Sequence, residues 1–380
     1  MSAQSLPSRR VKHSRPLAKK LLLVVVATVA ALFASEVVSR FAFPEMKGGG
    51  RFFTSNGLEV PLGEIIAFLT RMPEADARQN VNQQKPHGMM LANLKLRMGY
   101  KDPLPHWDYF DENGCVPVDT NSLGLRDAEF PAHKRPGEFR VLALGDSMTY
   151  GQGVRLDLTW PQVLEARLRA ERSGPVEVIN AGFAAGPGVN SPDGCDRWVV
   201  DNGILFEPDV VVVGMCLNDV GPIPMLTYPA VQLEPVLGGW SHLLDTVVQG
   251  VRQRQQRAVL RDYGPAVEKD PAAWLASQRG LRALRDFLAA RAVPLVVVVF
   301  PMMSQLEPDL YPCRSVHRLI GDFCQQEGIR TLDLLPAFLG MAELDLWVHP
   351  TDQHPNHVGH RILAEHIHAF LKAEGLLGAH

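Results

Sequence analysis

The chain has 380 residues, of which 46% are hydrophobic and 21% are charged, and its formal net charge is −3. This composition excludes a disordered chain, a collagen-like repeat and a small disulfide scaffold, and the length allows either one large domain with an appendage or two domains. The first twenty residues hold six cations and no acid, so the other 360 carry a net charge of −9. A net-acidic body argues against nucleic acid as a partner, because that binding depends on Lys and Arg neutralising phosphates.

The amino terminus has the pattern of a membrane anchor. Residues 21–34 contain no charge, and as a helix they span about 21 Å, which flanking lysines can extend toward the ~30 Å hydrocarbon layer. We predict a cytoplasmic basic tail at 1–20 and an uncleaved transmembrane signal-anchor at 21–43; a cleaved signal peptide is the alternative. Both interpretations place the body outside the cytoplasm, because the cations stay inside. The predicted location is the inner (cytoplasmic) membrane, single-pass, with the main domain periplasmic.

Residues 44–135 form a linker and a mixed, loop-rich segment that begins with a glycine spacer at 48–50. The part from 51 to 117 is expected to be either a small platform on the main domain or a lid near its cleft. The five cysteines fit an oxidising compartment, and Cys313 and Cys324 could pair, although an odd count leaves at least one thiol unpaired within the chain.

The main domain, predicted at 136–380, alternates short apolar runs with amphipathic stretches. Runs of Val and Leu without alternation are typical of strands buried on both faces, as in a parallel sheet covered by helices. We predict an α/β domain with five strands at 141–144, 176–179, 210–213, 295–300 and 329–332, and helices at 160–170, 272–291, 315–327 and 357–371. An insertion at 221–271 breaks the alternation; it contains a helix-like run at 241–262 and Trp240, either a sugar-stacking residue or a core residue.

The first strand of this domain ends in Gly-Asp-Ser at 145–147. In open parallel sheets the site lies beyond the carboxyl ends of the strands, which is where Ser147 falls. Because Thr149 takes the place of the second glycine, the segment is not the Gly-x-Ser-x-Gly turn of an α/β-hydrolase. Taken alone, it is either a nucleophile turn or an ordinary helix cap.

A second candidate segment lies near the end of the chain. A serine hydroxyl needs a base to take its proton, and the base needs a carboxylate to orient it; Asp352 and His354 are close enough for one loop to present both. The alternative is a metal site, but the histidine spacing does not match His-Glu-x-x-His and no carboxylate or thiol completes a ligand set. We therefore expect no metal and no cofactor. The histidines concerned are His349, His354, His357 and His360.

Together these segments resemble the SGNH/GDSL hydrolase superfamily. The resemblance depends on an ordered set of four blocks, each weak alone, at 145–147 (Gly-Asp-Ser), 180–186 (Asn-Ala-Gly-Phe-Ala-Ala-Gly), 214–219 (Gly-Met-Cys-Leu-Asn-Asp) and 352–356 (Asp-Gln-His-Pro-Asn). It covers roughly 118–373, and 118–126 is similar to the lead-in of membrane-anchored bacterial members.

This resemblance implies a flavodoxin-like three-layer α/β/α sandwich with a parallel five-stranded sheet. It also implies that Ser147 attacks an ester carbonyl, with His354 as general base and then general acid and Asp352 orienting it. The family's oxyanion hole maps to the N–H of Ser147, the N–H of Gly186 and the side chain of Asn218. Fixed donors at a developing oxyanion contribute several kcal/mol, about 3–4 for one donor.

Two positions depart from the family pattern. The aspartate usually stands three residues before the histidine, where this chain has Thr351, so Asp352 is one residue closer. In the second block the glycine position is Ala185, with Gly186 one later, and Gly182 is a third candidate for the N–H donor.

The predicted function is an extracytoplasmic serine esterase that removes O-acyl groups from a glycan or similar ester through an acyl-enzyme. An O-acyltransferase to an envelope polysaccharide uses the same residues and differs only in whether water reaches the acyl-enzyme. A catalytically inactive glycan-binding module is the remaining alternative, because a fold does not fix a function. The expected partners are an ester-bearing substrate, such as an acylated glycan, and the membrane through the N-terminal helix.

Overall fold

A long helix opens the structure, a computed structural model that describes residues 15–42, 50–60, 86, 88–100, 106–183, 192–221, 241, 243–248, 251 and 264–378. Helix α1 (Arg15–Ala42) has 28 residues and is about 42 Å long. Its stretch Lys19–Arg40 is long and apolar enough to cross a membrane, a criterion that a signal sequence also meets, and none of its apolar window is buried against the protein.

A small antiparallel sheet follows, built from β1 (Arg51–Thr54), β2 (Glu59–Val60), β3 (Leu96–Gly99) and β4 (Cys115–Pro117) in the order β2-β1-β3-β4. Its buried side chains, such as Phe52 and Met98, form one apolar cluster with Tyr150, Phe183 and Val348 of the main domain. The small sheet is therefore packed on the main domain as a platform.

The main sheet consists of β5 (Phe139–Gly145), β6 (Val176–Gly182), β7 (Val210–Met215), β8 (Leu295–Val299) and β9 (Arg330–Asp333). The strands are all parallel, in the order β6-β5-β7-β8-β9, which is the flavodoxin-like order. Both the five-stranded parallel sheet and the fold class are confirmed. Four strands are buried throughout, whereas β9 is at the edge and partly exposed.

The helices are α2 (Ser147–Tyr150), α3 (Trp160–Glu171), α4 (Pro192–Asp201), α5 (Gly264–Lys269), α6 (Ala272–Ala289), α7 (Arg314–Gln326), α8 (Leu335–Phe338) and α9 (His357–Ala373). Helix α3 packs on α9, and α4 packs on α6, so helices cover the sheet as the α/β/α sandwich requires. The four predicted helices are present with ends within two residues, and α4 was not predicted. A hairpin of β10 (Trp347–His349) and β11 (Asp352–Pro355) precedes α9.

The cysteines of α7 and the insertion at 221–271 bear on two features that the sequence suggested. Cys313 and Cys324, which the sequence allowed to pair, are both free. Cys313 is the N-cap residue of α7 and Cys324 lies eleven positions further on, roughly 16 Å along the helix, which is far beyond the reach of a disulfide. In the insertion, residues 243–248 are helical, while Trp240 and most of the predicted run at 241–262 lie outside the described residues.

Candidate active site

Ser147 is the first residue of α2, directly beyond the carboxyl end of β5. The side chain of Asp146 caps this helix by accepting a hydrogen bond from the Met148 N–H at 2.9 Å. The Cys216 thiol donates to the same carboxylate oxygen at 3.0 Å, because β7 ends beside β5. The turn therefore holds the serine at a capped helix N-terminus.

Three glycines make room for this turn. Gly182 of β6 and Gly214 of β7 both pair in register with Gly145 of β5, so they form a row across three neighbouring strands. A Cβ on Gly182 would stand 2.5 Å from the Thr149 carbonyl carbon, and one on Gly214 would stand 2.7 Å from the Thr149 hydroxyl. The backbone of α2 therefore lies directly on Gly182, while Gly145 and Gly214 lie against the Thr149 side chain.

The chain beyond α2 is held by a buried guanidinium. Arg126 is fully buried and donates hydrogen bonds to the carbonyl oxygens of Tyr150 (2.6 Å), Gly151 and Val154. Burial lowers the pKa of this guanidinium from its usual value. Arg126 ends the lead-in that resembles the membrane-anchored members, but nothing in the sequence indicated its contacts.

The hairpin presents Asp352 and His354 together. The two residues are alternate positions of β11, and alternate residues of a strand point to the same face, so the two-residue spacing suits a strand although the sequence suggested a loop. The Asp352 Oδ1 lies 2.5 Å from His354 Nδ1 and also accepts the His354 backbone N–H at 3.1 Å. The His354 Nε2 lies 2.7 Å from the Ser147 Oγ. The structure thus brings all three predicted residues into one hydrogen-bonded chain.

Asp352 and His354 shift each other's pKa in opposite directions. Burial alone would raise the pKa of Asp352, but His354 and a hydroxyl donor from Tyr100 outweigh it and hold that pKa well below its usual range. Burial alone would lower the pKa of His354, and the adjacent Asp352 carboxylate more than offsets this, so the pKa is raised above the usual 6.5. A carboxylate that stays ionised beside a basic imidazole is the arrangement that general base catalysis needs.

A cleft opens beside the serine. It is lined by polar groups of Ser147, His354 and Asn218, and by an apolar wall of Met148, Leu217, Phe300, Pro301, Met302 and Met303. Asn218 lies in a short turn after β7, where Asp219 accepts the Cys216 N–H at 2.9 Å. The Asn218 Oδ1 is buried without a hydrogen-bond partner among the described residues.

The second block is described only in its first half. The Asn180 Oδ1 accepts the Gly182 N–H at 3.0 Å, and the Phe183 N–H donates to the Gly145 carbonyl at 3.0 Å. The Gly182 N–H is therefore already used inside the sheet. Ala185 and Gly186, the other two candidates for the oxyanion donor, lie outside the described residues.

The histidines around the hairpin have separate surroundings. His349 stacks on Tyr100, His357 packs edge-on against Trp107 and Tyr109, and the His360 Nδ1 accepts the Trp160 N–H at 3.1 Å. Within the described ranges, no group of three or more His, Cys, Asp or Glu side chains could hold a metal ion.

Residues 143–362 match the model of the GDSL-like lipase/acylhydrolase family. No curated protein matches the chain. Similar solved structures include the esterase EstA from Pseudoalteromonas sp. (15% identity, 62% of this chain and 97% of that chain, TM-score 0.38). A second is a lipase/acylhydrolase from Enterococcus faecalis (14% identity, 62% of this chain and 96% of that chain, TM-score 0.39). A third is a variant of Axe2, an acetyl-xylooligosaccharide esterase from Geobacillus (17% identity, 64% of this chain and 95% of that chain, TM-score 0.40).

Proposed function

The chain belongs to the GDSL-like lipase/acylhydrolase family and is an ester-bond hydrolase, and from this premise we propose that Ser147, His354 and Asp352 are its catalytic triad. The observation that carries the proposal is the continuous hydrogen-bonded chain from the Ser147 hydroxyl through the imidazole to the Asp352 carboxylate. Ser147 and His354 lie 207 positions apart along the chain, and His354 and Asp352 lie two positions apart.

The reaction follows from this order of groups. His354 Nε2 takes the hydroxyl proton as the Ser147 Oγ attacks the ester carbonyl, and the imidazolium then gives that proton to the departing alcohol. The acyl-enzyme that remains is attacked by water, whose proton passes to His354 and then back to the serine as the acid leaves. Asp352 stays ionised throughout and stabilises the imidazolium.

The oxyanion of each tetrahedral intermediate needs fixed donors. We assign the Ser147 N–H and the Asn218 side-chain amide, both at the cleft, together with the N–H of Gly186. An asparagine donor of this kind typically lowers the barrier by about 3–4 kcal/mol. The Asn218 side chain lines the same cleft as Ser147, and its Nδ2 is the group that would donate to the oxyanion.

The substrate is an O-acyl ester of a glycan or a similar ester at the outer face of the membrane. The apolar wall beside Ser147 suits the acyl group of such an ester. The single-pass anchor would keep this site at the periplasmic surface, with the basic tail at 1–20 in the cytoplasm and the hydrolase domain at 136–380 outside.

Contacts at the outer end of α1 support an uncleaved anchor. The Glu36 carboxylate accepts hydrogen bonds from the Ser241 hydroxyl at 2.8 Å and the Leu243 N–H at 3.0 Å, and Ser39 is buried. The helix end is thereby joined to the insertion. Intact mass measurement of the purified protein tests this, because cleavage would remove the first thirty or more residues.

The catalytic assignment is tested with the full chain in detergent on a chromogenic ester and on acetylated oligosaccharides. We expect Ser147→Ala to abolish hydrolysis and labelling by a serine-directed phosphonate. Ser304→Ala is the matched control, because Ser304 donates to the Gln353 side chain next to the site without entering the triad. Equal rates for wild type and Ser147→Ala would refute the proposal. Acyl transfer to added oligosaccharide that outpaces hydrolysis would instead assign the same residues to an O-acyltransferase, and ligand binding without turnover would indicate an inactive module.

A further inference from the structure

The small platform sheet reaches the proposed triad through one side chain. Tyr100 follows β3, and its hydroxyl donates a hydrogen bond of 2.7 Å to the Asp352 Oδ2, across 252 positions of the chain. The other carboxylate oxygen, Oδ1, is the one that holds His354. A weaker contact of 3.3 Å comes from the Gln152 Nε2 to Oδ2. The Asp352 Oδ1 therefore faces the His354 imidazole, whereas Oδ2 faces Tyr100 at the end of the platform strand β3.

The packing around Tyr100 leaves its ring one position. The ring stacks on His349, with centroids 4.7 Å apart and planes 14° apart, and meets the edge of Phe110 at 5.9 Å. Its backbone N–H donates to the Gly114 carbonyl at 3.0 Å. Gly153, at φ +75°, lies so close that a Cβ there would stand 2.7 Å from the Tyr100 hydroxyl oxygen. These contacts aim the hydroxyl at Asp352.

A buried carboxylate needs such a donor. Without the Tyr100 hydroxyl, the Asp352 Oδ2 would keep only the 3.3 Å contact from Gln152. The carboxylate would then bear more of its desolvation cost and would be held less firmly about its Cβ–Cγ bond. Burial raises the pKa of Tyr100 well above 10, and the neighbouring Asp352 raises it further. The hydroxyl thus keeps its proton and remains a donor.

We propose that Tyr100 is a positioning residue of the esterase: it fixes the Asp352 carboxylate so that Oδ1 orients His354 toward Ser147. The inference rests on the proposed triad and extends it, since it makes the platform sheet part of the active site. Tyr100 is buried, at 1% exposure, and its hydroxyl contacts the carboxylate, so we expect it to act through Asp352.

The test compares wild type, Tyr100→Phe, Asp352→Ala and the double variant, all as full chains on the same chromogenic ester. Phenylalanine keeps the stacking on His349 and removes only the donor. Because hydrogen bonds to charged groups are the strong ones, we expect kcat to fall about ten- to hundred-fold with KM unchanged. In the Asp352→Ala background, Tyr100→Phe is expected to change kcat less than about twofold, since nothing remains to be oriented.

Tyr109→Phe is the matched control. It removes a buried hydroxyl from the same platform region, at a ring that packs against His357 instead of Asp352, and we expect wild-type kcat. Tyr100→Phe removes a single oxygen atom, and its urea midpoint is measured beside kcat, so that a loss of rate in a folded protein is separated from a loss of folding.

The outcomes separate the two proposals. A wild-type kcat in Tyr100→Phe, or an equal loss with and without the Asp352 carboxylate, would overturn the positioning role while Ser147-dependent hydrolysis stands. An active wild type that does not depend on Ser147 would instead remove the triad itself.

Discussion

The glycine row beneath Ser147 makes a quantitative prediction for Gly182→Ala. The new Cβ would stand 2.5 Å from the Thr149 carbonyl carbon and 2.7 Å from the Tyr150 Cα, whereas ordinary carbon contacts begin near 3.4 Å. All of the opposing atoms are backbone of α2, so no side chain can rotate away. The helix that carries the nucleophile must therefore move by about 1 Å.

Moving α2 should lower both the free energy of unfolding and the rate of ester hydrolysis, with the larger effect on the rate. Overpacking of this kind destabilises by about 1–3 kcal/mol, and misplacing a reacting group by 1 Å lowers the rate about 100-fold. We expect Gly182→Ala to fold with a lowered urea midpoint and to hydrolyse a chromogenic ester with kcat reduced about 100-fold.

The matched control is Gly321→Ala, in the middle of α7, where a Cβ would meet nothing within 4 Å. There we expect unchanged kcat and a gain of about 0.5–1 kcal/mol, because alanine favours helix. If Gly182→Ala retains both wild-type kcat and wild-type stability, then α2 does not lie on Gly182 as described and the steric reasoning fails.

Three further predictions concern charge and burial. Because His354 must be neutral to accept the proton and its pKa is raised, kcat/KM should rise with pH through a midpoint above 6.5, and Asp352→Asn should move that midpoint down; a wild-type midpoint below 6.5 would contradict the assignment. Burial, helped by the charge of Arg126, lowers the pKa of His360 to about 3, so the free energy of unfolding should fall by about 2 kcal/mol between pH 7 and pH 5 from this group alone, because the unfolded chain binds the proton. His360→Asn keeps an acceptor for the Trp160 N–H and should flatten that dependence in urea titrations; an equally steep dependence would exclude His360 as its source. Finally, Arg126→Met leaves several buried carbonyls without donors and should destabilise by at least about 3 kcal/mol, and a loss under 1 kcal/mol would show that the chain after α2 is held by other contacts.

The main sheet was predictable because its strands are almost purely apolar. Val210–Met215 and Leu295–Val299 are buried along their whole length, and such runs indicate parallel strands whatever lies around them. The meeting of Ser147 with His354 was predictable from the ordered blocks alone, because His354 lies on the antiparallel hairpin and not at the end of a strand of the main sheet.

The remaining features lacked a local signal. The hairpin strand Asp352–Pro355 has no apolar alternation and ends in proline, so its sequence is typical of a loop. The platform strands have two to four residues and are too short to show a period. The Tyr100–Asp352 contact depends on how the platform sheet packs against the β10–β11 hairpin, which lies 252 positions later in the chain. The glycine row appears only when the register of three strands is known.

The long separation between Tyr100 and Asp352 has a consequence for biosynthesis. Because the contact spans 252 positions, synthesis must pass residue 354 before carboxylate, imidazole and hydroxyl can meet. Until then the emerging segment has a nucleophile without a base. Under the proposed triad, a nascent chain would therefore be unable to hydrolyse esters until this late segment has folded back onto Ser147.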